Sequence, residues 1–184
     1  FWGPPGVGKT TIARLLALEI DMHFVQISAI YSGVSDLRKQ FEAAKIRYSK
    51  GRPTLLFVDE IHRFNKSQQD GFLPFIENGT IVLIGATTEN PSFELNSALL
   101  SRAQVMVLER LSLNDLELIA QRAEKEMSAQ LPLTGEARDL LLEMADGDGR
   151  SLLNLVEQIF NWDEKNLDPT QLNKRLSKRV AQYD

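Results

Sequence analysis

Cysteine is missing from all 184 residues, and histidine occurs only twice, at His23 and His62. The first absence rules out disulfides, thiol nucleophiles and thiolate metal sites, and it fits a reducing compartment. The second leaves too few imidazoles for a histidine metal cluster. No apolar run approaches the roughly 18 residues of a membrane-spanning helix, so no membrane segment is expected. The sequence does not open on a positive region followed by an apolar stretch, so a signal peptide is not expected either. Excess positive charge is also lacking: 21 Lys and Arg stand against 25 Asp and Glu, a formal net charge of −4. A basic footprint over the whole chain is thereby excluded, and any contact with nucleic acid must be local. Internal repeats and low-complexity stretches are absent. With 43% hydrophobic and 25% charged residues, the composition is that of an ordinary globular chain. The length suits one medium domain plus a small one.

The order of elements follows from periodicity. Residues 9–20, KTTIARLLALEI, read as a helix with Ile12, Leu15, Leu16 and Ile20 at helical spacing. Residues 23–29 read as a short strand. SDLRKQFEAAKIRYSKG follows as a helix, with Ser35 as its expected N-cap and Gly51 as its stop. TLLFVDE, residues 54–60, is an apolar run ending in two acids and suits a parallel strand buried on both faces. A helix over 65–77, a strand over 81–88 (IVLIGATT), a short helix around 96–101 and a last strand over 104–109 (QVMVLE) complete this part. Strands alternating with helices imply an α/β fold with a parallel sheet. After Glu109 only helices are expected. Ser112 with Asp115 forms a capping-box pattern, and Thr134 is a further N-cap. The expected division is an α/β domain over 1–110 and an all-helical domain over 111–184.

GPPGVGKTT carries the strongest chemical signal. Gly3, Gly8, Lys9 and Thr10 match the G-x-x-x-x-G-K-[ST] phosphate loop, with Pro4, Pro5, Gly6, Val7 and Thr11 completing the cradle. Glycines let backbone N–H groups curl around phosphate oxygens, and the following helix points its positive end at the same anion. Lys9 reaches the β- and γ-phosphates, and the Thr10 hydroxyl is offered to Mg2+. Asp59 and Glu60 end a buried strand roughly 50 residues further on, a usual separation in P-loop ATPases. There Asp59 would hold Mg2+ through water, and Glu60 would orient and activate the attacking water. Thr88, or its neighbour Thr87, ends the next strand and is a candidate to orient that water; two threonines at a strand end also serve as plain turn chemistry. Arg102, in LLSRA, is a candidate to stabilise charge on the transferring phosphoryl group, against the plainer reading of a surface ion pair. Arg150, in GDGRSLLNLVE, begins a helix and faces the nucleotide only if that helix closes as a lid.

In this order the motifs resemble an AAA+ ATPase of the clamp-loader clade. FVDEIHRFNKSQQD and TTENPSFELNSALLSRA, with ISAIYSGVSDLR, resemble the replication-associated recombination protein A family, also called MgsA, and its eukaryotic relatives, the Werner-helicase-interacting ATPases. The resemblance implies ATP and Mg2+ at Lys9, Thr10 and Asp59, hydrolysis through Glu60, a sensor at Thr87 or Thr88, Arg102 acting on a neighbouring subunit's ATP, and Arg150 as a lid sensor. It implies a tetramer at stalled replication forks, acting on DNA ends and single-stranded regions with single-strand-binding protein and replisome components, cytoplasmic and away from membranes. A clamp-loading or branch-migration motor, and a nucleotide-gated scaffold that does not hydrolyse ATP, are the alternatives. A protein unfoldase would need an aromatic pore loop, and Tyr31-Ser32-Gly33 reads better as a turn. In such folds the strand before the phosphate loop lies mid-sheet, and here only Phe1 and Trp2 stand before it. The family also continues into a helical assembly domain soon after a pair like Tyr183-Asp184. The expectation is therefore an excerpt that binds nucleotide weakly and hydrolyses little by itself. For DNA, Arg38, Lys39, Lys45, Arg47, Lys50 and Arg52 form a basic helix face, and HRFNKSQQ is a second candidate; a solvated helix face is the plain reading of the first.

Overall fold

The computed structural model describes residues 1–180, with side chains through Ser177; Tyr183-Asp184 lie outside the described residues. The chain divides into two units, Phe1–Glu109 and Arg110–Asp184.

In the first unit three parallel strands, β1 (His23–Ser28), β2 (Thr54–Asp59) and β3 (Ile81–Gly85), lie in the order β1-β2-β3. β2 is the middle strand, and Leu55 through Val58 are all buried. Successive side chains of a strand leave on opposite faces. Leu55 and Phe57 accordingly pack with Ala13 and Ala17 of α1 (Lys9–Glu19). Leu56 and Val58 join Leu37, Phe41 and Ala44 of α2 (Val34–Tyr48), together with Phe64 and Phe72. The apolar run in β2 thus cements one helix to each side of the sheet. Its register with β3 pairs Val58 with Gly85, so the two strands end side by side.

Several expectations are corrected. α2 starts two residues earlier than a cap at Ser35 implies: Gly33 is its cap, and the Gly33 N–H donates to the Asp36 carboxylate at 3.0 Å. The helix expected over 65–77 is two short ones, α3 (Lys66–Asp70) and α4 (Leu73–Glu77), preceded by a 3-10 turn at Ile61–Arg63. Pro74 explains the break, because its ring would meet the carbonyl four residues back, on Asp70. An additional short helix, α5 (Pro91–Glu94), precedes α6 (Ser97–Leu100). Residues 104–109 form no strand. Among the described residues, the backbone bonded to them is that of Trp2, which donates from N–H to Met106 O at 2.9 Å and accepts from Leu108 N–H at 2.7 Å. A ladder needs a continuous partner, and two bonds make only an isolated bridge at Val107.

The second unit consists of α7 (Leu113–Met127), α8 (Gly135–Met144), α9 (Gly149–Phe160) and α10 (Pro169–Val180). Leu116, Ala120, Leu141, Leu152, Val156, Ile159 and Leu172 form its core. Side chains cap the starts: Ser112 accepts from Asp115 N–H, Thr134 from Ala137 N–H and Asp148 from Ser151 N–H. Arg138 ties α8 to α7. Its guanidinium donates to both carboxylate oxygens of Glu124 at 2.9 Å and to Glu117 at 2.8 Å. Those bonds hold both carboxyls below their ordinary range and push the guanidinium up.

Two outcomes follow from this packing. A Cβ at Gly3 would lie 2.2 Å from Leu108 O, a backbone atom, so Gly3→Ala should cost about 1–3 kcal/mol in denaturant unfolding. Arg138→Met strands two half-buried carboxylates and should cost about 1–3 kcal/mol near neutral pH. Glu117 and Glu124 hold protons less tightly folded than unfolded, so their contribution is complete above the ordinary carboxylate pKa of about 4.3 and is lost as pH falls through the lower folded values. Unfolding across the acid range should therefore be flatter in Arg138→Met than in the unsubstituted protein.

Candidate functional site

The loop over residues 3–8 leaves the Trp2 bridge and enters α1. Its path needs glycine at two points, Gly6 at φ +69° and Gly8 at φ +94°, where an L side chain would be strained. Gly8 is also the N-cap, and no side chain caps the helix. The first-turn N–H groups of a helix lack acceptors within it, and the helix dipole adds partial positive charge there. Lys9, the first helical residue, is buried, and its ammonium donates to Gly3 O at 2.8 Å and Pro4 O at 2.7 Å. Val7 anchors the loop in the interior; Thr10 is half-buried, while Pro5 and Thr11 are exposed. A curved backbone, an ammonium and a hydroxyl make a donor set that fits a polyphosphate with a divalent cation.

Asp59 closes β2 in register with Ser28, and its carbonyl accepts from Ala29 N–H at 2.9 Å. Glu60 follows in the left-handed region, φ +52° and ψ +45°, which costs an L-residue about 1–2 kcal/mol. Neighbouring backbone bonds hold it there. Arg63 N–H donates to Glu60 O at 2.8 Å, and Ile61 N–H donates to Ala86 O at 3.0 Å. Gly85 makes room for this turn, since a Cβ there would lie 2.8 Å from Ile61 Cδ1.

The turn also carries His62 inward. Its side chain is only 6% exposed, and Nδ1 lies 2.9 Å from Thr87 Oγ1 and 3.4 Å from Glu60 Oε2. Thr87 is buried, and its hydroxyl oxygen also accepts from Glu89 N–H at 3.0 Å. Its backbone reaches the loop: Thr87 N–H donates to Phe1 O at 3.0 Å, and Gly3 N–H donates to Thr87 O at 3.2 Å. Gly3, Thr87, His62 and Glu60 are therefore joined in one chain of contacts. Thr88, the threonine favoured from sequence, is exposed.

Arg102 follows α6 and is exposed. Its guanidinium pairs with Glu77 of α4 at 2.7 Å and donates to Ala98 O at 3.0 Å. Arg150 belongs to the second unit, where it is exposed in the first turn of α9. The basic helix face is only partly available. Arg47 turns inward, donates from Nε to Thr54 Oγ1 at 3.0 Å and is pushed below its ordinary pKa by burial. Arg38, Lys39, Lys45 and Lys50 stay exposed. Within HRFNKSQQ, Phe64 is core, and buried Gln69 pins the chain before α6 by accepting from Asn96 N–H at 2.8 Å. An apolar cleft of about 450 Å³ beside β3, lined by Leu83, Leu95, Leu99 and Val105 among others, contains neither the loop residues 3–11 nor the two acids.

Sequence reasoning missed His62 and Glu77 as partners of candidate site residues. The available signal for His62 was its position two residues beyond Glu60 in a chain with only two histidines.

Comparison with known proteins identifies the relatives of the chain. Residues 1–111 match the family model of the ATPase family associated with various cellular activities (AAA). The chain is 46% identical over its whole length to the replication-associated recombination protein A of Haemophilus influenzae, of which it spans 44%. It is 46% identical, over 89% of its length, to ATPase WRNIP1 of Dictyostelium discoideum, of which it spans 19%. Among solved structures it is similar to the Thermotoga maritima RuvB Holliday junction branch migration motor, with a TM-score of 0.74 and 27% identity over 96% of this chain and 59% of that one. The chain spans less than half the length of these two curated relatives. With the phosphate loop, the acidic strand end and the parallel sheet in place, the chain belongs to the AAA ATPase family, and within it resembles replication-associated recombination protein A and WRNIP1.

Proposed function

We propose that the chain is the ATP-hydrolysing module of a replication-fork maintenance and recombination protein, one that uses ATP and Mg2+ to remodel DNA or DNA-bound proteins at stalled forks. The observation that carries this reading is the whole-chain similarity to replication-associated recombination protein A together with an unsubstituted set of Lys9, Thr10, Asp59 and Glu60. In it Lys9 and the loop amides over residues 3–11 hold the phosphates, and Thr10 and Asp59 hold Mg2+, which neutralises phosphate charge when bound. Glu60 accepts a proton from the attacking water, and Thr87 or Thr88 orients that water. Arg102 serves the ATP of a neighbouring subunit once freed from Glu77, and Arg150 acts from a helical lid formed by the second unit. The intact protein works as a cytoplasmic homo-tetramer on forks, ends and single-stranded DNA, beside single-strand-binding protein and the replisome.

A second reading, a branch-migration motor, is favoured by the likeness to the Thermotoga maritima RuvB structure. A fork-remodelling enzyme is stimulated by forked DNA, and a branch-migration motor by four-way junctions. A non-hydrolysing scaffold fits poorly with an intact Lys9, Asp59 and Glu60.

Glu60→Gln in the intact protein should abolish steady-state turnover, a loss of about 100-fold or more, while ATP stays bound. Retained hydrolysis would remove Glu60 from its role. Charge reversal at the exposed Arg38, Lys45 and Lys50 should weaken DNA-stimulated ATPase. It should also lower the salt slope of DNA binding by about one for each phosphate that is no longer neutralised. Unchanged stimulation with an unchanged slope would take α2 and the turn that follows it out of the DNA surface.

A further inference from the structure

We propose that His62 is a positioning residue that couples the Glu60 carboxylate to Thr87, and through Thr87 to the phosphate loop. The inference rests on the reading of Glu60 as the group that activates water.

Three observations carry it. The first is freedom of movement. The backbone of Glu60 is fixed in the left-handed region by the Ile61–Ala86 and Arg63–Glu60 bonds, so only side-chain rotation is left to aim the carboxylate. Among the described residues, the polar contact recorded for its carboxylate is with His62 Nδ1, at 3.4 Å. The second is burial. A side chain 6% exposed, on a three-residue turn, cannot swing out to solvent to make other bonds. The third is valence. Nδ1 has a single site in the ring plane, with either one proton or one lone pair, and so serves one partner at a time. It faces two, Thr87 Oγ1 at 2.9 Å and Glu60 Oε2 at 3.4 Å.

Thr87 is constrained in the same way. Its oxygen accepts from Glu89 N–H, and its single proton goes either to Glu89 O at 3.2 Å or to Nδ1. Whatever draws the Thr87 hydroxyl away changes what Nδ1 offers Glu60. Because Gly3 N–H is bonded to Thr87 O, a shift of the loop reaches the same junction. His62 touches no reacting atom in this scheme. It decides when the carboxylate is held and when it is released.

The test uses the intact protein and three substitutions. An asparagine amide can occupy the place of Nδ1, whereas a glutamine amide reaches the place of Nε2. His62→Ala should lower kcat by up to about 100-fold while nucleotide affinity stays near that of the unsubstituted protein, and emptying a buried site should lower Tm as well. His62→Asn should recover most of the rate, and His62→Gln should not. The double variant His62→Ala with Thr87→Val should be no slower than the slower single variant, as expected for residues acting as a unit. A readout free of catalysis is the imidazole 15N spectrum without nucleotide, with His62 assigned by its loss in His62→Asn. Its Nδ1 resonance should move in Glu60→Gln and again in Thr87→Val. An unchanged kcat in His62→Ala, equal rates for the asparagine and glutamine variants, or an Nδ1 resonance indifferent to both neighbours would each overturn the coupling. If the unsubstituted protein or Glu60→Gln contradicts the ATPase reading, the spectra still decide whether His62 links Thr87 to Glu60.

Discussion

The backbone of Thr87 is bonded to Phe1 and Gly3, while its hydroxyl meets His62, which in turn faces Glu60. That junction depends on the register between β2 and β3. Val58 opposes Gly85, so the residues just beyond each strand, Glu60 to His62 and Ala86 to Thr87, meet at one edge. The carboxyl edge of a parallel sheet is where ligands of open α/β folds bind, and here one register sets the acid, the imidazole and the threonine together. A slip of one residue would reverse every side chain of β3 and separate all three. The buried run Leu55 to Val58 prevents it, because each face of β2 is already committed to its own helix.

The parts legible in the sequence are those dictated locally. Gly6 and Gly8 are where a tight loop demands positive φ, and an unbroken LLFV run is a strand with no exposed face. The caps Ser112 and Thr134 likewise announce helices by the bonds they make within three residues. What escaped depends on partners distant in sequence. Residues 104–109 have strand-like composition, but a strand exists only against a neighbour, and Trp2 offers two bonds. Arg47 looks like one cation among six on a helix, yet Thr54 draws it inward. His62 looks like part of a polar loop; its burial follows from the left-handed turn at Glu60, which no propensity of glutamate foretells.

Both arginines proposed for the reaction are exposed, unlike the chain of contacts from Gly3 to Glu60. Arg102 is held by Glu77 through an ion pair open to solvent, of a kind worth about 1 kcal/mol or less. A contact that weak orients a side chain without locking it. Lys9 is the opposite case, buried and bonded to two carbonyls of its own loop. The buried lysine is thus fixed by its own loop, whereas Arg102 is held only by exposed contacts.

Glu60 shows why the acid sits where it does. Glycine would adopt φ +52° without strain, but it has no carboxylate. Holding an L-residue there needs compensation from outside the turn, and it comes from β3. Ala86 O accepts the Ile61 N–H, and Gly85 leaves the space that Ile61 fills. The conformation of the acid is therefore a property of two strands, not of its own segment. A side chain at Gly85 would press on Ile61 and, through it, on Glu60, without touching the carboxylate. The direction of the Glu60 Cα–Cβ bond is fixed by this backbone device, leaving only the rotations of its side chain to be governed, and it is these that His62 is placed to limit.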